Sequence, residues 1–264
     1  MGKVLVREWI RNLERYASRS VNPLARHGKR VYSQGLQDGM LAEIFRRLGI
    51  KHGSAVEIGG WDGISYSNTR VLLEAGWHCG YIEADPTKFS ELQGNIEGYD
   101  AAASNRRVTL EPGERLDDVI DTLSMPDDLT LLCLDIDSHD FWIWQSLERY
   151  QPQVVCVEYN AYFDPQSRQT VPYEPAHQWS GGYCYGATAG ALHHLSQQKG
   201  YMLVGFEPGL DLFFVRNDAA GSRFQPIPIE DIPRSLRLNP FRGRQDTGTP
   251  DMVSLDEHDR QIRA

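Results

Sequence analysis

The chain has 264 residues, 41% hydrophobic and 24% charged, enough apolar material for one large α/β domain without requiring two. Its formal charge of −9 is uneven: residues 1–30 hold eight Lys/Arg against Glu8 and Glu14, net +6, so the remainder carries −15. An acidic body lacks the phosphate-neutralising surface of a general nucleic-acid binder, and no apolar run reaches membrane-spanning length, so neither class is expected.

No leader pattern is read before residue 30. The four cysteines (Cys79, Cys133, Cys156, Cys184) form no CxxC pair and read as reduced thiols, so the expected compartment is cytoplasmic. From Val4 to Arg19 the periodicity predicts a helix with Val6, Trp9, Ile10, Leu13 and Ala17 on one face. Arg7, Arg11, Arg15 and Arg19 form an i,i+4 stripe beside it. This is an accessory helix docked on the acidic body with solvated arginines, or a weak contact to a membrane or another protein. Residues 1–30 are thus a basic amphipathic helix and linker. Ser33–Asp38 is a polar segment before a helix over Gly39–Leu48, whose Met40, Leu41, Ile44, Phe45 and Leu48 suit one buried face.

The centre of the chain is Ala55–Asp85. A short strand, Ala55–Ile58, runs into the turn Glu57-Ile58-Gly59-Gly60-Trp61-Asp62-Gly63. A helix capped by Ser65 or Ser67 and stopped at Gly76 follows, then a strand, Cys79–Ile82, ending in Glu83. This βαβ unit of about thirty residues carries an acid about twenty positions after the last turn glycine, a spacing that suits a ribose held across two parallel strands. The glycines let backbone approach a ligand. A pyrophosphate would sit at the following helix N-terminus, but Glu57 and Asp62 flank that position and would repel it. They suit a cofactor with positive charge, such as the ammonium and sulfonium of S-adenosylmethionine, with Glu83 accepting from the ribose hydroxyls. The plain alternative is a glycine turn that only packs a helix on a sheet.

Pro86 opens a helix, Thr87–Glu97, stopped at Gly98. Arg107–Leu110 is expected as a third strand, with Glu111 facing an adenine or simply exposed, and Leu116–Leu123 as a short helix. Leu129–Asp140 reads as a strand buried on both faces that delivers Asp135 and Asp137 to one side, with Ser138–Asp140 past the sheet edge. After a helix over Phe141–Tyr150, the strand Gln153–Val157 ends in Glu158-Tyr159-Asn160. Two neighbouring strands therefore present Asp135, Asp137, Glu158 and Asn160, an oxygen set that suits Mg²⁺ or Ca²⁺. Without a metal, Asp137 and His139 would bind the acceptor and act as general base. Ser138 or Asp140 would cap the helix.

Ala161–Tyr185 shows no periodicity but is rich in aromatics, among them Tyr162, Phe163, Tyr173, Trp179, Tyr183 and Tyr185. It reads as the wall of an acceptor pocket, with Tyr159, Asn160, Trp179 and Tyr183 as candidate contacts, or as a loop stapled to the surface. His177 within it reads as a surface histidine. Thr188–Lys199 is a helix, and Tyr201–Phe206 with Leu212–Arg216 a hairpin. Beyond Asp218, prolines at 226, 228, 233, 240 and 250 forbid long elements; this tail is expected to wrap the body or meet a partner, with its last dozen residues disordered.

Three stretches carry a family resemblance: Y-S-Q-G-L-Q-D-G from Tyr32, V-E-I-G-G-W-D-G from Val56 with S-N-T from Ser67, and G-Y-I-E-A-D-P from Gly80. Over about Tyr32–Arg216 the chain resembles the FkbM-like branch of class I S-adenosylmethionine-dependent methyltransferases. The resemblance implies a Rossmann-like α/β fold: a mostly parallel seven-stranded sheet, helices on both faces, and an antiparallel edge hairpin. The domain is expected over 31–218, with 219–264 as tail. Glu57, Gly59, Asp62, Gly63, Glu83 and Asp85 become cofactor-binding candidates. Gln34 and Asp38 join them, because in that family the segment before the first strand lies over the cofactor.

The implied reaction is methyl transfer from the sulfonium to a hydroxyl oxygen of a small molecule or glycan. In metal-dependent O-methyltransferases of the same superfamily, acids at these two strand ends hold a divalent ion, which extends the expected cofactors to Mg²⁺. The block D-I-D-S-H-D departs from the commoner FkbM pattern of Asp followed by Gly and Glu, so the metal rests on position and not on a motif. Two readings from other classes stay open: a metal-dependent nucleotide-sugar or other nucleotide-binding transferase, and a non-catalytic interaction module that retains the fold. Each is compatible with a homo-oligomer.

Overall fold

Strand residues that are apolar on both sides decide the architecture. The computed structural model describes residues 12–177, 179, 181–233 and 252–256. In chain order its elements are α1 (residues 12–18), α2 (Gln37–Leu48), β1 (Ser54–Ile58), α3 (Arg70–Glu74), β2 (His78–Ile82), α4 (Pro86–Ile96), β3 (Ala101–Ser104), α5 (Leu116–Asp121) and β4 (Leu131–Leu134). There follow α6 (Asp140–Ser146), β5 (Val154–Glu158), β6 (Gln169–Thr170), α7 (Ala189–Gln198), β7 (Tyr201–Phe206), β8 (Asp211–Arg216), α8 (Asn217–Ala220) and β9 (Val253–Ser254).

In β4, Leu132 and Leu134 face a core shared with α5, α6 and α7, while Leu131 and Cys133 face a second core shared with α2, α3 and α4. The same alternation runs through Val155 and Val157 against Val154 and Cys156 in β5, and Leu212 and Phe214 against Phe213 and Val215 in β8. Each fully buried leucine or valine contributes about 2 kcal/mol of transfer free energy, so both faces must be covered by helices.

The seven-stranded sheet has the order β3-β2-β1-β4-β5-β8-β7. Pairs β1–β2, β1–β4, β2–β3 and β4–β5 are parallel, and β8 alone runs against its neighbours β5 and β7. This is the expected Rossmann-like architecture with helices on both faces and an antiparallel hairpin. The direction of winding reverses between β1 and β4, and a ligand crevice forms past the carboxyl ends of the strands at such a point. Among the described residues no helix is long and apolar enough to cross a membrane.

Several local expectations are corrected. The third strand is Ala101–Ser104, not Arg107–Leu110, because pairing with β2 in the register Cys79↔Ala101 to Ile82↔Ser104 outweighs the low strand preference of alanine. Helix α3 starts at Arg70 and α6 ends at Ser146, both shorter than their apolar patterns suggested. In the described part of the N-terminal helix the buried residues are Glu14 and Ser18, whereas Leu13 is 42% exposed and Ala17 is exposed. Arg15 is not solvated: its Nε donates to Oε1 of Glu207, a carboxylate with no exposure, at 2.7 Å. A carboxylate buried without exposure needs a paired charge, and Arg15 supplies it. Arg7, Arg11, Val6, Trp9 and Ile10 lie outside the described residues.

The described residues of the tail pack on the body. Phe224, Ile227 and Ile232 are buried. The expected disorder of the last dozen residues fails at Val253–Asp256: β9 pairs antiparallel with β6, Leu255 is buried, and Asp256 pairs with Arg168 at 2.7 Å. Residues 257–264 lie outside the described residues.

Candidate functional site

At the carboxyl ends of β1, β2, β4 and β5 lies a cavity of about 770 Å³, walled on one side by the aromatic loop that contains Tyr162, Tyr173, Trp179 and Tyr185. Its floor depends on the turn after β1. Gly59 has φ +79°, and a Cβ there would stand 2.0 Å from the Asp135 carbonyl oxygen at the end of β4. No other residue type allows that approach. Gly63 is also left-handed, at φ +73°. The left-handed conformation is rare for other residues, yet Trp61, Tyr66 and Asp137, at φ 49°, 63° and 54°, all adopt it and all line the cavity. Such backbone strain clusters where a site over-determines its geometry.

Glu83 follows β2, is 7% exposed and lines the cavity. One oxygen accepts from the Trp61 N–H at 2.8 Å and the other from the Asp85 N–H at 2.7 Å. Asp85 also lines the cavity and caps α4, accepting from the N–H groups of Thr87 and Lys88. Glu57 is the penultimate residue of β1 and lies opposite Cys133 of β4. Its carboxylate accepts from Ser67 Oγ, Asn68 N and Thr69 Oγ1, each at 2.6 Å. Burial raises its proton affinity, and those bonds oppose the rise.

Three cofactor candidates are placed elsewhere, Gly63 at the end of the turn among them. Asp62 folds back on its own turn, accepting from Ile64 N, Ser65 N and Ser65 Oγ, and does not line the cavity. Burial pushes its carboxyl up, but the Ser65 and Ile64 bonds and the Lys88 charge outweigh that and hold it below the ordinary range. Asp38 is likewise absent from the lining. Its Oδ2 accepts from the N–H groups of Val31, Tyr32 and Ser33 and from Ser33 Oγ, which shapes the loop that carries Gln34 to the cavity. Glu111, a possible adenine contact, is exposed and outside the lining.

The acids of the next two strands converge. Asp135, Asp137 and Glu158 bring carboxylate oxygens within 4.8 Å of one another. Burial comes first among the causes that raise the proton affinity of all three; repulsion between neighbouring carboxylates adds to it for Asp135 and Glu158, while a hydrogen bond between Asp137 and Glu158 works the other way. Asp140, fully buried, closes the turn by accepting from Ile136 N and Ser138 N, and burial raises its carboxyl to about 6.

Asn160 is not brought into this group. Its Nδ2 donates to the carbonyls of Tyr183 and Tyr185 and its Oδ1 accepts from Tyr162 N, so the amide is spent pinning the aromatic loop. Tyr159 is 1% exposed and accepts from Gly209 N, away from the cavity. Tyr183 packs edge-on against Tyr162 and stays behind the lining. Trp179 does line it.

His139 lines the cavity, but its Nε2 accepts from the Glu174 N–H at 3.3 Å, so that lone pair is not directed at a ligand. Burial, helped by His177 and Arg107, lowers its pKa to about 4. His177, read from sequence as a surface residue, also lines the cavity, with its ring 5.5 Å from that of His139. Sequence reasoning missed Tyr66, Arg106 and Arg107 as lining residues. The arginines were hidden by the misplaced third strand: with β3 ending at Ser104, they fall just past its carboxyl end.

No protein-family model and no curated protein matches the chain. Among solved structures it is similar to monomeric WbdD, at 16% identity and TM-score 0.44 over 71% of this chain and 42% of that one. The match therefore spans under half of the WbdD chain. It is also similar to a putative S-adenosylmethionine-dependent methyltransferase from Listeria monocytogenes, at 10% identity and TM-score 0.41 over 67% and 99% of the two chains. A third is the 1,6-didemethyltoxoflavin-N1-methyltransferase of Burkholderia thailandensis, solved with 1,6-didemethyltoxoflavin and S-adenosylhomocysteine, at 10% identity and TM-score 0.41 over 67% and 76%.

Proposed function

We propose that this chain is an S-adenosylmethionine-dependent methyltransferase that moves a methyl group to a hydroxyl oxygen of a small molecule or glycan. The FkbM-like resemblance belongs to the same reading. One observation carries it: a crevice past β1 and β2 edged by Glu57, Glu83 and Asp85 opens into the same cavity as the acids past β4 and β5. Carboxylates at the first crevice favour an ammonium, a sulfonium and a ribose diol over a pyrophosphate. The volume, about 770 Å³, accommodates a cofactor and an acceptor side by side.

The acceptor oxygen forms its bond to the methyl carbon as the sulfur–methyl bond breaks in line, which leaves a neutral thioether. The chain supplies alignment, and without a bound ion Asp137 takes the hydroxyl proton. His139 holds the aromatic loop through Glu174 and is not the base.

Asp135, Asp137 and Glu158 are the residues that would hold a divalent cation. Their all-oxygen set fits Mg²⁺ or Ca²⁺, and Glu158 Oε2 is buried with no hydrogen-bond partner. When bound, such an ion lowers the pKa of a hydroxyl that coordinates it.

Calorimetric titration with S-adenosylhomocysteine and with nucleotide-sugars, each with and without Mg²⁺, tests the reading. Saturable binding of S-adenosylhomocysteine supports it. Binding of nucleotide-sugars alone favours the nucleotide-sugar transferase, and binding of neither favours an interaction module.

A further inference from the structure

The cavity is lined by six carboxylates: Glu57, Glu83, Asp85, Asp135, Asp137 and Glu158. Against them stand two cationic side chains, Arg106 and Arg107, from the loop after β3. Both are exposed, and neither makes an ion pair among the described residues, although the chain carries nine more negative than positive charges. Arg106 donates from Nη1 to the Gly113 carbonyl at 3.5 Å and Arg107 from Nη1 to the His177 carbonyl at 3.4 Å. These are long bonds, and each guanidinium has five N–H donors, so most of its donors are left for a ligand or for water.

The place of Arg107 matters as much as its charge. Its partner His177 belongs to the aromatic loop, and its charge acts on His139, which follows the acidic end of β4. Arg107 therefore reaches the side of the cavity where an acceptor would lie, while its own loop is tied to β2 through Asn105 Nδ2, which donates to the Glu83 carbonyl at 2.7 Å. A guanidinium there binds a carboxylate or phosphate by paired hydrogen bonds, and it would anchor such a group without disturbing the reacting hydroxyl.

We propose that Arg107, with Arg106 beside it, is an anion-binding subsite, and that the acceptor carries a carboxylate or a phosphate in addition to its hydroxyl. The word acceptor rests on the methyl-transfer reading; the anion site does not.

The test is calorimetric titration of the full chain with inorganic phosphate and, separately, with acetate at constant ionic strength, each with and without saturating S-adenosylhomocysteine. At least one anion is expected to bind saturably in both conditions, and which one does identifies the group. Arg107→Gln should weaken it about tenfold or more, Arg106→Gln less, and Arg107→Lys should retain part of the affinity. The affinity for S-adenosylhomocysteine should stay unchanged in all three. Both side chains are exposed, so unchanged melting temperatures will verify folding. Absence of saturable binding by either anion overturns the proposal, as does wild-type binding in both glutamine variants. Displacement of the anion by S-adenosylhomocysteine, or loss of its binding in Arg107→Gln, overturns the acceptor assignment by placing the arginine in the cofactor space. Failure of S-adenosylhomocysteine to bind, with anion binding intact, removes the methyl-transfer reading alone.

Discussion

The backbone N–H of Trp61 donates to Glu83 Oε2 at 2.8 Å, so the glycine turn after β1 and the acid after β2 form one structure. The other Glu83 oxygen holds the Asp85 N–H at 2.7 Å and thereby the start of α4. Glu83→Ala should remove a ligand acceptor and loosen the turn together. The expected result is a loss of about tenfold or more in S-adenosylhomocysteine affinity by calorimetry, with a smaller loss in Glu83→Gln. An unchanged dissociation constant in the alanine variant would discredit the ribose assignment.

Gly59 and Gly98 separate strain from contact. Both are left-handed, at φ +79° and +83°, but a Cβ at Gly98 meets nothing within 4 Å, whereas at Gly59 it would meet the Asp135 carbonyl at 2.0 Å. Gly98→Ala should cost about 1 kcal/mol from its backbone conformation alone. Gly59→Ala should cost about 2 kcal/mol more, because the ends of β1 and β4 must part. Urea denaturation of the two variants measures the difference; equal costs would mean that the turn yields freely.

Asp211 provides a pH signature. It sits opposite Glu158 in the β5–β8 register, and its carboxyl is raised to about 6, first by burial, against the bond from Gln37 and with the repulsion of Glu207. A carboxyl raised in the folded state holds its proton longer there than in the unfolded chain. Its contribution to stability is full below pH ~4 and is lost as pH rises through about 6. Asp211→Asn keeps an acceptor for Gln37 and removes the titration. The variant should show a flatter stability profile from pH ~4 to about 6 and a higher melting temperature at pH 7.

The convergent acids predict a response to divalent ions. Mg²⁺ at about 100 times its dissociation constant should stabilise the wild-type chain by about 2.7 kcal/mol. Asp135→Asn or Glu158→Gln should abolish that gain while relieving carboxylate repulsion in the metal-free protein. Thermal melts with Mg²⁺ and with EDTA read both effects. Equal shifts in wild type and variants would place the ion elsewhere.

Arg15→Gln takes the guanidinium away from the carboxylate of Glu207, which has no exposure. The expected cost is about 3 kcal/mol, measured by denaturation. Glu207 Oε1 lies 2.8 Å from where a Gly35 Cβ would be, next to the loop that carries Gln34, so S-adenosylhomocysteine affinity should fall as well. A variant as stable as wild type would show the Arg15 contact to be ornamental.

What was legible in the sequence was whatever local pattern dictates. Runs such as Leu131–Leu134 had to be strands covered on both faces. The glycines of the first turn marked where the backbone could approach closely, as Gly59 does, and Pro86 with Gly98 bounded α4. Those signals sufficed for the fold class, because periodicity of two within strands and its replacement by helical spacing require no knowledge of distant partners.

The tertiary structure alone decided how each acid is used. Asp62, Asp38 and Asp140 are carboxylates like Glu83 and Asp135, yet they hold turns together outside the cavity lining, as the Asn160 amide holds the aromatic loop. Chain geometry decides which lone pairs remain for a ligand, and composition carries no trace of it. The same holds for Arg106 and Arg107, whose position depended on where an alanine strand found its partner in β2, and for Arg15, drawn inward by a carboxylate almost two hundred residues away. Pairing between distant segments is a long-range energy, and a one-dimensional reading cannot sum it.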